Sequence, residues 1–320
     1  MVPVSAVSLP TSCALCPRRC GANRAAGERG VCGADDKLRV ARAALHVWEE
    51  PVISVGAGSG TVFFSGCPLR CIYCQNADIS TRLQGIDIPF ERLVEVFLEL
   101  QDQEHAANIN LVTPTHYVPW IVPAVAEARR RGLRIPVLYN TSGYETVEAV
   151  RSLAGTVDVY LTDFKYAPDV QSDAARVYSH ARDYHDVALA ALDEMVVQVG
   201  KPVFGEHRYL EDGKEAVAPA LWRGVVVRHL VMPGRVQDSK AVVRELWGRY
   251  GNDVIYSFMS QYTPMREFVL HPELNRPTTA EEYEAVLDYA DELGIEEYFW
   301  QQGDAALESF IPEWDGAGVL

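Results

Sequence analysis

The chain has 320 residues, 48% of them hydrophobic, which is enough for one large globular domain with a small appendage. No apolar run approaches the roughly 18 residues of a membrane span, and residues 1–10 lack the basic start and apolar stretch of a signal peptide, so neither a membrane protein nor a secreted one is expected. The formal net charge of −15 argues against nucleic acid as the main partner.

All seven cysteines lie within the first 74 residues. Their odd number and their metal-ligand spacing argue against a disulfide framework, and a reducing, cytoplasmic location is therefore expected. The first four follow the pattern C-x2-C-x3-C-x11-C, which can close a tetrahedral metal site formed by Cys13, Cys16, Cys20 and Cys32. Zinc, a second iron–sulfur cluster and a redox pair all fit this spacing, and a few buried thiols are the alternative.

The other three cysteines follow a predicted strand. Residues 40–48 are expected to form an apolar-rich connection and residues 51–60 a glycine-rich turn, before an apolar run at 60–64 predicts the strand. Directly after it come Cys67, Cys71 and Cys74, spaced C-x3-C-x2-C. Three close thiolates can hold three irons of a cubic cluster and leave the fourth iron open for a ligand. A structural zinc loop and scattered core thiols are the alternatives, but no fourth protein ligand lies nearby.

This spacing resembles the C-x3-C-x-aromatic-C signature of the radical S-adenosylmethionine (SAM) enzymes, with Tyr73 in the aromatic position. The resemblance implies a [4Fe–4S] cluster whose unique iron chelates the amino and carboxylate groups of SAM. It also implies that the reduced cluster cleaves SAM to methionine and a 5′-deoxyadenosyl radical. An external electron donor such as flavodoxin or ferredoxin is then expected as a partner.

Strand and helix patterns alternate after the cysteine loop. Strands are predicted at 108–113, 135–141, 157–165, 224–232, 253–261 and 296–300, and helices at 89–103, 118–131, 145–153, 183–199, 238–250 and 279–293. This alternation predicts an α/β fold with a parallel sheet, and residues 204–223 are expected to be an irregular insertion. The resemblance implies a partial (β/α)6-type barrel over about residues 51–303. We therefore expect a Cys-rich metal-binding knuckle at 1–50 and a radical SAM core with a C-terminal extension at 51–320.

The carboxyl ends of parallel strands usually carry the working residues of a barrel. The strand predicted at 108–113 leads into Thr113, Thr115 and His116, at the place where radical SAM enzymes commonly have Gly-Gly-Glu-Pro. The resemblance implies that these three residues supply the contacts to the SAM amino group, although His116 fits a structural hydrogen-bonding role equally well.

Further SAM contacts are implied at three other strand ends. The run NTSGY resembles a segment of glycyl-radical activases that lies beside SAM, which points to Asn140 and Ser142, and the run DFK matches the activases at Asp163 and Lys165. Arg228 interrupts an apolar strand and needs an anion, for which the SAM carboxylate is the family-based candidate. A capped polar turn, a plain salt bridge and a structural ion pair are the respective alternatives. The strand ends at 260–262 and 300–303 offer polar groups for a substrate or for packing at the rim.

Six segments together resemble the radical SAM proteins grouped as pyruvate formate-lyase activating enzyme-like (the PflX type), namely CALCPRRCGANR, FFSGCPLRCIYCQN, NLVTPTHYVPW, NTSGY, DFKY and MSQYTPM. The resemblance implies an enzyme that abstracts hydrogen from its substrate, with a glycyl radical enzyme as the named candidate partner. Radical modification or epimerisation of a small molecule or sugar is the alternative activity. An iron–sulfur electron-transfer or sensing protein is the alternative outside enzymes, but such a carrier would want its cluster fully thiolate-ligated.

Overall fold

The computed structural model describes residues 7–169, 171–211, 213–301 and 312–320. In chain order the strands are β1 (Leu38–His46), β2 (Ser59–Phe64), β3 (Ile86–Ile88), β4 (Ile109–Val112), β5 (Val137–Thr141), β6 (Val159–Asp163), β7 (Val203–Glu211), β8 (Lys214–Leu230), β9 (Ile255–Met259) and β10 (Tyr298–Trp300). The helices are α1 (Ala77–Ser80), α2 (Phe90–Asp102), α3 (Val118–Arg130), α4 (Val147–Ser152), α5 (Ala174–Ser179), α6 (Tyr184–Val199), α7 (Val236–Tyr250) and α8 (Ala280–Glu292).

The strands of the described residues form a sheet in the order β10-β9-β8-β6-β5-β4-β2-β1-β3, and β7 pairs with β8 alone. Every neighbouring pair from β10 to β2 is parallel, whereas β1 runs antiparallel to both β2 and β3. The predicted α/β fold with a parallel sheet is therefore confirmed. The curvature of a partial barrel stays a prediction. The register pairs Asp163 with Arg228, so these two charged residues lie side by side at the ends of β6 and β8.

Helices bury the parallel strands because their apolar residues recur at helical spacing. In α2, Leu93, Phe97 and Leu100 are buried and belong to one core cluster with Val62 and Leu111 of the sheet. A second and larger cluster joins α4, α5, α6, α7 and α8 to the strands β5, β6, β8 and β9. Among the described residues, no helix is long and apolar enough to cross a lipid bilayer.

Two segments differ from the sequence-based prediction. Residues 40–48 were expected to be a connection, but most of them belong to β1, whose residues 40–46 pair with β2. Residues 204–223 were expected to be an irregular insertion, but they form an antiparallel hairpin in which β8 continues unbroken into the parallel sheet. In β1 a register shift between Val40 and Arg42 interrupts the period-two pattern of a strand, and the hairpin has few buried residues, so its alternation is weak.

Candidate active site

The carboxyl ends of the parallel strands surround a cavity of about 510 Å³, within the range of about 300–1,000 Å³ that is usual for small-ligand sites. The three cysteines of the loop after β2 line this cavity. Six of the residues predicted to contact SAM line it as well, together with Tyr73: Thr113, Asn140, Ser142, Asp163, Lys165 and Arg228. The structure thus brings residues of β4, β5, β6, β8 and the cysteine loop to one place, while their role toward SAM stays a prediction.

The cysteine loop is fixed by backbone contacts. Gly66 has φ +95°, and a Cβ at this position would lie 2.7 Å from the carbonyl oxygen of Cys32, so glycine is required. The next residue, Cys67, donates its backbone N–H to that same carbonyl at 3.2 Å. Further along, the N–H of Ile72 donates to the carbonyl of Tyr178 at 2.8 Å. The loop is therefore held between the N-terminal segment and α5.

The thiols of this loop are poorly solvated. Burial raises the pKa of Cys67 to about 12, and the neighbouring Cys71 and Cys74 add to this effect. Thiolates in such a place need a bound cation to become stable, which is what a metal centre supplies. Within the described ranges, no group of three or more His, Cys, Asp or Glu side chains is already set in metal-binding geometry.

Hydroxyl groups contact two of the three sulfurs of the cysteine loop. Ser179 donates to the Sγ of Cys71 at 3.1 Å, and Ser80 donates to the Sγ of Cys74 at 3.4 Å. The phenol of Tyr166 lies 4.0 Å from the Sγ of Cys71. These donors favour the anionic form of sulfur, as a thiolate ligand requires.

Charged residues that line the cavity form an ion-pair network. The carboxylate of Asp163 accepts from Nζ of Lys165 at 2.6 Å and from Nε of Arg228 at 3.0 Å. Arg228 also donates to the side-chain oxygen of Asn140 at 2.7 Å, and its guanidinium lies 3.5 Å from the carboxylate of Glu49. The structural ion pair considered for Arg228 is thus present, and any contact with the carboxylate of SAM must share the guanidinium with these partners.

The network keeps its members charged. Burial alone would raise the pKa of Asp163, but Arg228 and Lys165 outweigh it and hold that pKa below its usual value. Burial likewise opposes the charge on Lys165, and Asp163 outweighs it, so the pKa of Lys165 is raised. Glu50 behaves differently, because burial raises its pKa to about 7 in spite of the opposing charge of Arg228.

Two of the predicted contacts lie elsewhere. Thr115 is not part of the cavity wall, because its buried hydroxyl donates to the carboxylate of Glu145 at 2.6 Å. His116 is also buried, and its Nε2–H donates to the carbonyl of Ser65 at 2.8 Å. Burial lowers the pKa of His116 to about 3, so the ring is neutral and supports the loop. Both residues were predicted to contact SAM because they follow β4. The chain forms a short helical turn at Thr115–Tyr117, which buries the side chains of Thr115 and His116.

The four N-terminal cysteines gather in one small fold, in which all of them are free thiols. The sulfurs of Cys20 and Cys32 lie 3.3 and 3.5 Å from the point that a Cβ would occupy at Gly30, and the thiols of Cys13 and Cys20 share a hydrogen bond. Three of the sulfurs also accept backbone N–H groups, each from the residue two positions later: Cys16 from Arg18, Cys20 from Ala22 and Cys32 from Ala34. Donors in this arrangement stabilise thiolates.

Two arginines join this fold to the site. Arg18 donates to four carbonyl oxygens. Two belong to Pro68 and Leu69 in the cysteine loop, and two belong to Ser179 and His180 at the end of α5. Arg24 is fully buried and donates to the carbonyls of Asp35 and His116.

Sequence reasoning did not identify several residues of the site. Glu49 comes from the connection after β1, where nothing in the local pattern distinguishes it from a solvated acid. Ser179 ends α5, a six-residue helix too short for a periodic signal, and Tyr166 lies in the segment that follows β6. Gln261 and Gln301 line the cavity, as expected for two of the polar strand ends, while residues 302 and 303 of the last predicted strand end lie outside the described residues.

Comparison with known proteins gives the class of this site. Residues 61–196 match the model of the radical SAM superfamily. An uncharacterized protein of Methanocaldococcus jannaschii is 27% identical over 292 residues, which cover 89% of this chain and 76% of that protein.

Two solved structures show a limited similarity to this chain. One is a radical SAM methyltransferase from Sphaerobacter thermophilus, with a TM-score of 0.48 and 15% identity over 77% of this chain and 67% of that chain. The other is Streptococcus suis SuiB bound to the precursor peptide SuiA, with a TM-score of 0.46 and 13% identity over 74% of this chain and 46% of that chain.

The residues that match the radical SAM superfamily model include the cysteine loop. The family implies a [4Fe–4S] cluster and SAM as cofactors. The residues present fit both, since three thiols, two of them contacted by hydroxyl donors, line a cavity that also presents paired cations and carboxylates.

Proposed function

We propose that the protein is a radical SAM enzyme in which Cys67, Cys71 and Cys74 hold a [4Fe–4S] cluster. The observation that carries this proposal is that the three thiols share one cavity with the charged ends of β6 and β8. When bound, the cluster supplies the electron that cleaves SAM to methionine and a 5′-deoxyadenosyl radical, which then abstracts hydrogen from a substrate. The electron itself comes from an external donor such as flavodoxin or ferredoxin.

The residues of the cavity suit the functional groups of SAM. Lys165 provides a cation, and Asp163 and Asn140 provide hydrogen-bond acceptors for hydroxyl groups. Because Lys165 and Arg228 both hold Asp163, its carboxylate is fixed in orientation before any ligand enters. Tyr73 lines the same cavity beside Cys74, and we place the adenine there.

The substrate is the finer part of the proposal. The resemblance to the activating enzymes makes a glycyl radical in a partner protein our first candidate, and a small molecule or sugar is the second. The cavity supports a polar substrate, because side-chain amides line it around the cysteines and at the ends of β9 and β10: Gln75, Asn76, Gln261 and Gln301.

The test is release of 5′-deoxyadenosine by anaerobically reconstituted protein with dithionite and SAM, followed by mass spectrometry. We expect release by the wild type and none by a variant with Cys67, Cys71 and Cys74 all changed to alanine. Reductive cleavage of SAM by that triple variant would overturn the proposal. A redox-active cluster without any 5′-deoxyadenosine would indicate an electron carrier instead. Adding a candidate glycyl radical enzyme and recording its radical by electron paramagnetic resonance separates the two substrate classes.

We further propose that Cys13, Cys16, Cys20 and Cys32 bind a second metal, either zinc or iron with sulfide. Their spacing and the backbone N–H groups directed at three of the four sulfurs support this. A structural role fits best, because Arg18 and the carbonyl of Cys32 connect this fold directly to the loop that carries Cys67.

A further inference from the structure

A chain of three hydroxyl groups ends on the sulfur of Cys71. The phenol of Tyr73 lies 2.9 Å from that of Tyr166, which lies 2.6 Å from the hydroxyl of Ser179, and Ser179 donates to Cys71 Sγ at 3.1 Å. Tyr73, Tyr166 and Ser179 are all buried, so water does not compete for these bonds. We call these three residues the hydroxyl chain.

The direction of the hydrogen bonds follows from the number of protons. Each hydroxyl has one proton, and Ser179 gives its proton to the sulfur of Cys71. Tyr166 must then donate to Ser179, and Tyr73 to Tyr166. All three O–H dipoles point toward Cys71, and hydrogen bonds in such a series polarise and strengthen one another at low local dielectric.

The backbone holds this arrangement in place. Ile72, next to Cys71, donates its N–H to the carbonyl of Tyr178, and Arg18 donates to the carbonyl of Ser179 at 2.7 Å. The end of α5 is thus fixed against the cluster loop from two sides, and Ser179 has little freedom to turn its hydroxyl away.

We propose that the hydroxyl chain raises the reduction potential of the iron–sulfur centre that Cys71 ligates and that Ser179 is its principal positioning residue. This inference rests on the proposed function, since it takes Cys71 as a cluster ligand. Reduction adds negative charge that is shared by the sulfurs, so an O–H donor stabilises the reduced cluster more than the oxidised one. Hydrogen bonds to charged groups are the stronger kind, and a buried chain of them makes the difference measurable.

The test is a potentiometric titration of the reconstituted cluster without SAM, so that it does not depend on turnover. We expect Ser179→Ala to lower the equilibrium constant for cluster reduction about tenfold, a shift of about 59 mV to more negative potential for a one-electron couple. Ser179→Thr keeps the hydroxyl and should keep the wild-type potential. Tyr166→Phe removes the second member of the chain and a longer contact of 4.0 Å with Cys71 Sγ, and it should shift the potential less, in the same direction.

Matched controls exist within the chain. Ser152 ends α4 as Ser179 ends α5, but its hydroxyl bonds the carbonyl of Ala149, and the hydroxyl of Tyr160 bonds Gln198. Ser152→Ala and Tyr160→Phe should leave the potential unchanged.

A wild-type potential in both Ser179→Ala and Tyr166→Phe would overturn the inference, as would an equal shift in the controls. Electron–nuclear double resonance of the reduced wild type in H₂O should show a proton coupling, separate from that of the Ser80 hydroxyl at Cys74, that exchange into D₂O removes and that Ser179→Ala lacks. Persistence of that coupling in Ser179→Ala would also overturn the inference. Failure of the proposed function looks different, because then the wild type itself releases no 5′-deoxyadenosine.

Discussion

At the scale of single residues, pairing decides what each charged group can do. Arg228 was a candidate for the SAM carboxylate because an arginine within an apolar strand needs an anion. The structure supplies two, since Asp163 bonds it at 3.0 Å and Glu49 lies 3.5 Å away. Lys165 has only Asp163 as an ion-pair partner among the described residues, so it is the cation with more capacity left for a ligand.

We therefore expect Lys165→Ala to weaken SAM binding by about 1–3 kcal/mol, the contribution of a charged hydrogen bond. Isothermal titration of SAM into the anaerobic reconstituted protein measures this effect. Lys240→Ala is the control, because Lys240 lies over the ring of Tyr289 between α7 and α8. Equal affinities of wild type and Lys165→Ala would remove Lys165 from the site.

The carboxyl of Glu145 gives the protein a pH dependence of stability. Burial raises its pKa from 4.5 to about 7, and its side chain accepts from the hydroxyls of Thr115 and Thr141. Between pH 4.5 and about pH 7 the folded state binds more protons than the unfolded state, so the free energy of unfolding falls as pH rises. The loss from this group levels off above pH 7 and amounts to about 3 kcal/mol.

Glu145→Gln should remove this part of the dependence, which urea denaturation at pH 5 and pH 8 would show as a smaller difference between the two values. Glu284→Gln, at an exposed position in α8, should keep the wild-type difference. The comparison between variants separates Glu145 from the buried histidines His116 and His229, whose lowered pKa values act in the opposite direction. An unchanged difference in Glu145→Gln would contradict the assignment.

At the scale of elements, the long periodic helices and the six-residue helix α4 were predictable from the sequence. The helix predicted at 279–293 is observed as α8, and a capping box between Thr279 and Glu282 begins it. The helix α5 and the hairpin of β7 and β8 were missed. The helix α5 is too short for a periodic signal, and the hairpin has few buried residues, so neither shows a clear local pattern.

Arg18 connects the cysteine loop to the end of α5 through its hydrogen bonds to carbonyl groups of both segments. We expect Arg18→Ala to lower the free energy of unfolding by about 2 kcal/mol and to weaken retention of the cluster, because four carbonyl groups lose a charged donor. The neighbouring Arg19 is the matched control, because it is exposed. Its ion pair with Glu148, at 3.8 Å, lies on the surface and contributes little to stability. Equal stabilities of Arg18→Ala and Arg19→Ala would show that Arg18 does not connect these elements.

At the scale of the whole molecule, backbone and side-chain hydrogen bonds connect the N-terminal fold directly to the cysteine loop. The carbonyl of Cys32 accepts the N–H of Cys67, and Arg70 donates to the carbonyl of Val31 at 3.0 Å. A metal bound by the N-terminal cysteines would therefore stabilise the loop that carries the cluster.

Metal analysis of the variant lacking Cys67, Cys71 and Cys74 tests this site without interference. We expect about one zinc, or iron with sulfide, per chain. Further replacement of Cys16 and Cys32 by alanine should remove that metal and lower the thermal midpoint. A well-folded variant with neither zinc nor iron would refute the second site.

Some features of this protein were determined by the sequence alone. The spacing of Cys67, Cys71 and Cys74 limits how far apart three thiols can lie, so it indicates an open cluster site without knowledge of the fold. Strand and helix alternation likewise determines a parallel sheet, because only a crossover connection can return the chain in the same direction. From that sheet it follows that residues at the carboxyl ends of the strands meet at one edge, and Asn140, Asp163 and Arg228 do so.

Other features were decided only by the tertiary structure. Glu49 reaches Arg228 across 179 positions, and Ser179 reaches Cys71 across 108. Thr115 follows a predicted strand end in the same way as Asn140, yet its hydroxyl faces Glu145. Covalent spacing constrains geometry over a few residues only, whereas contacts between distant segments depend on how every intervening element packs, and no local pattern records that packing.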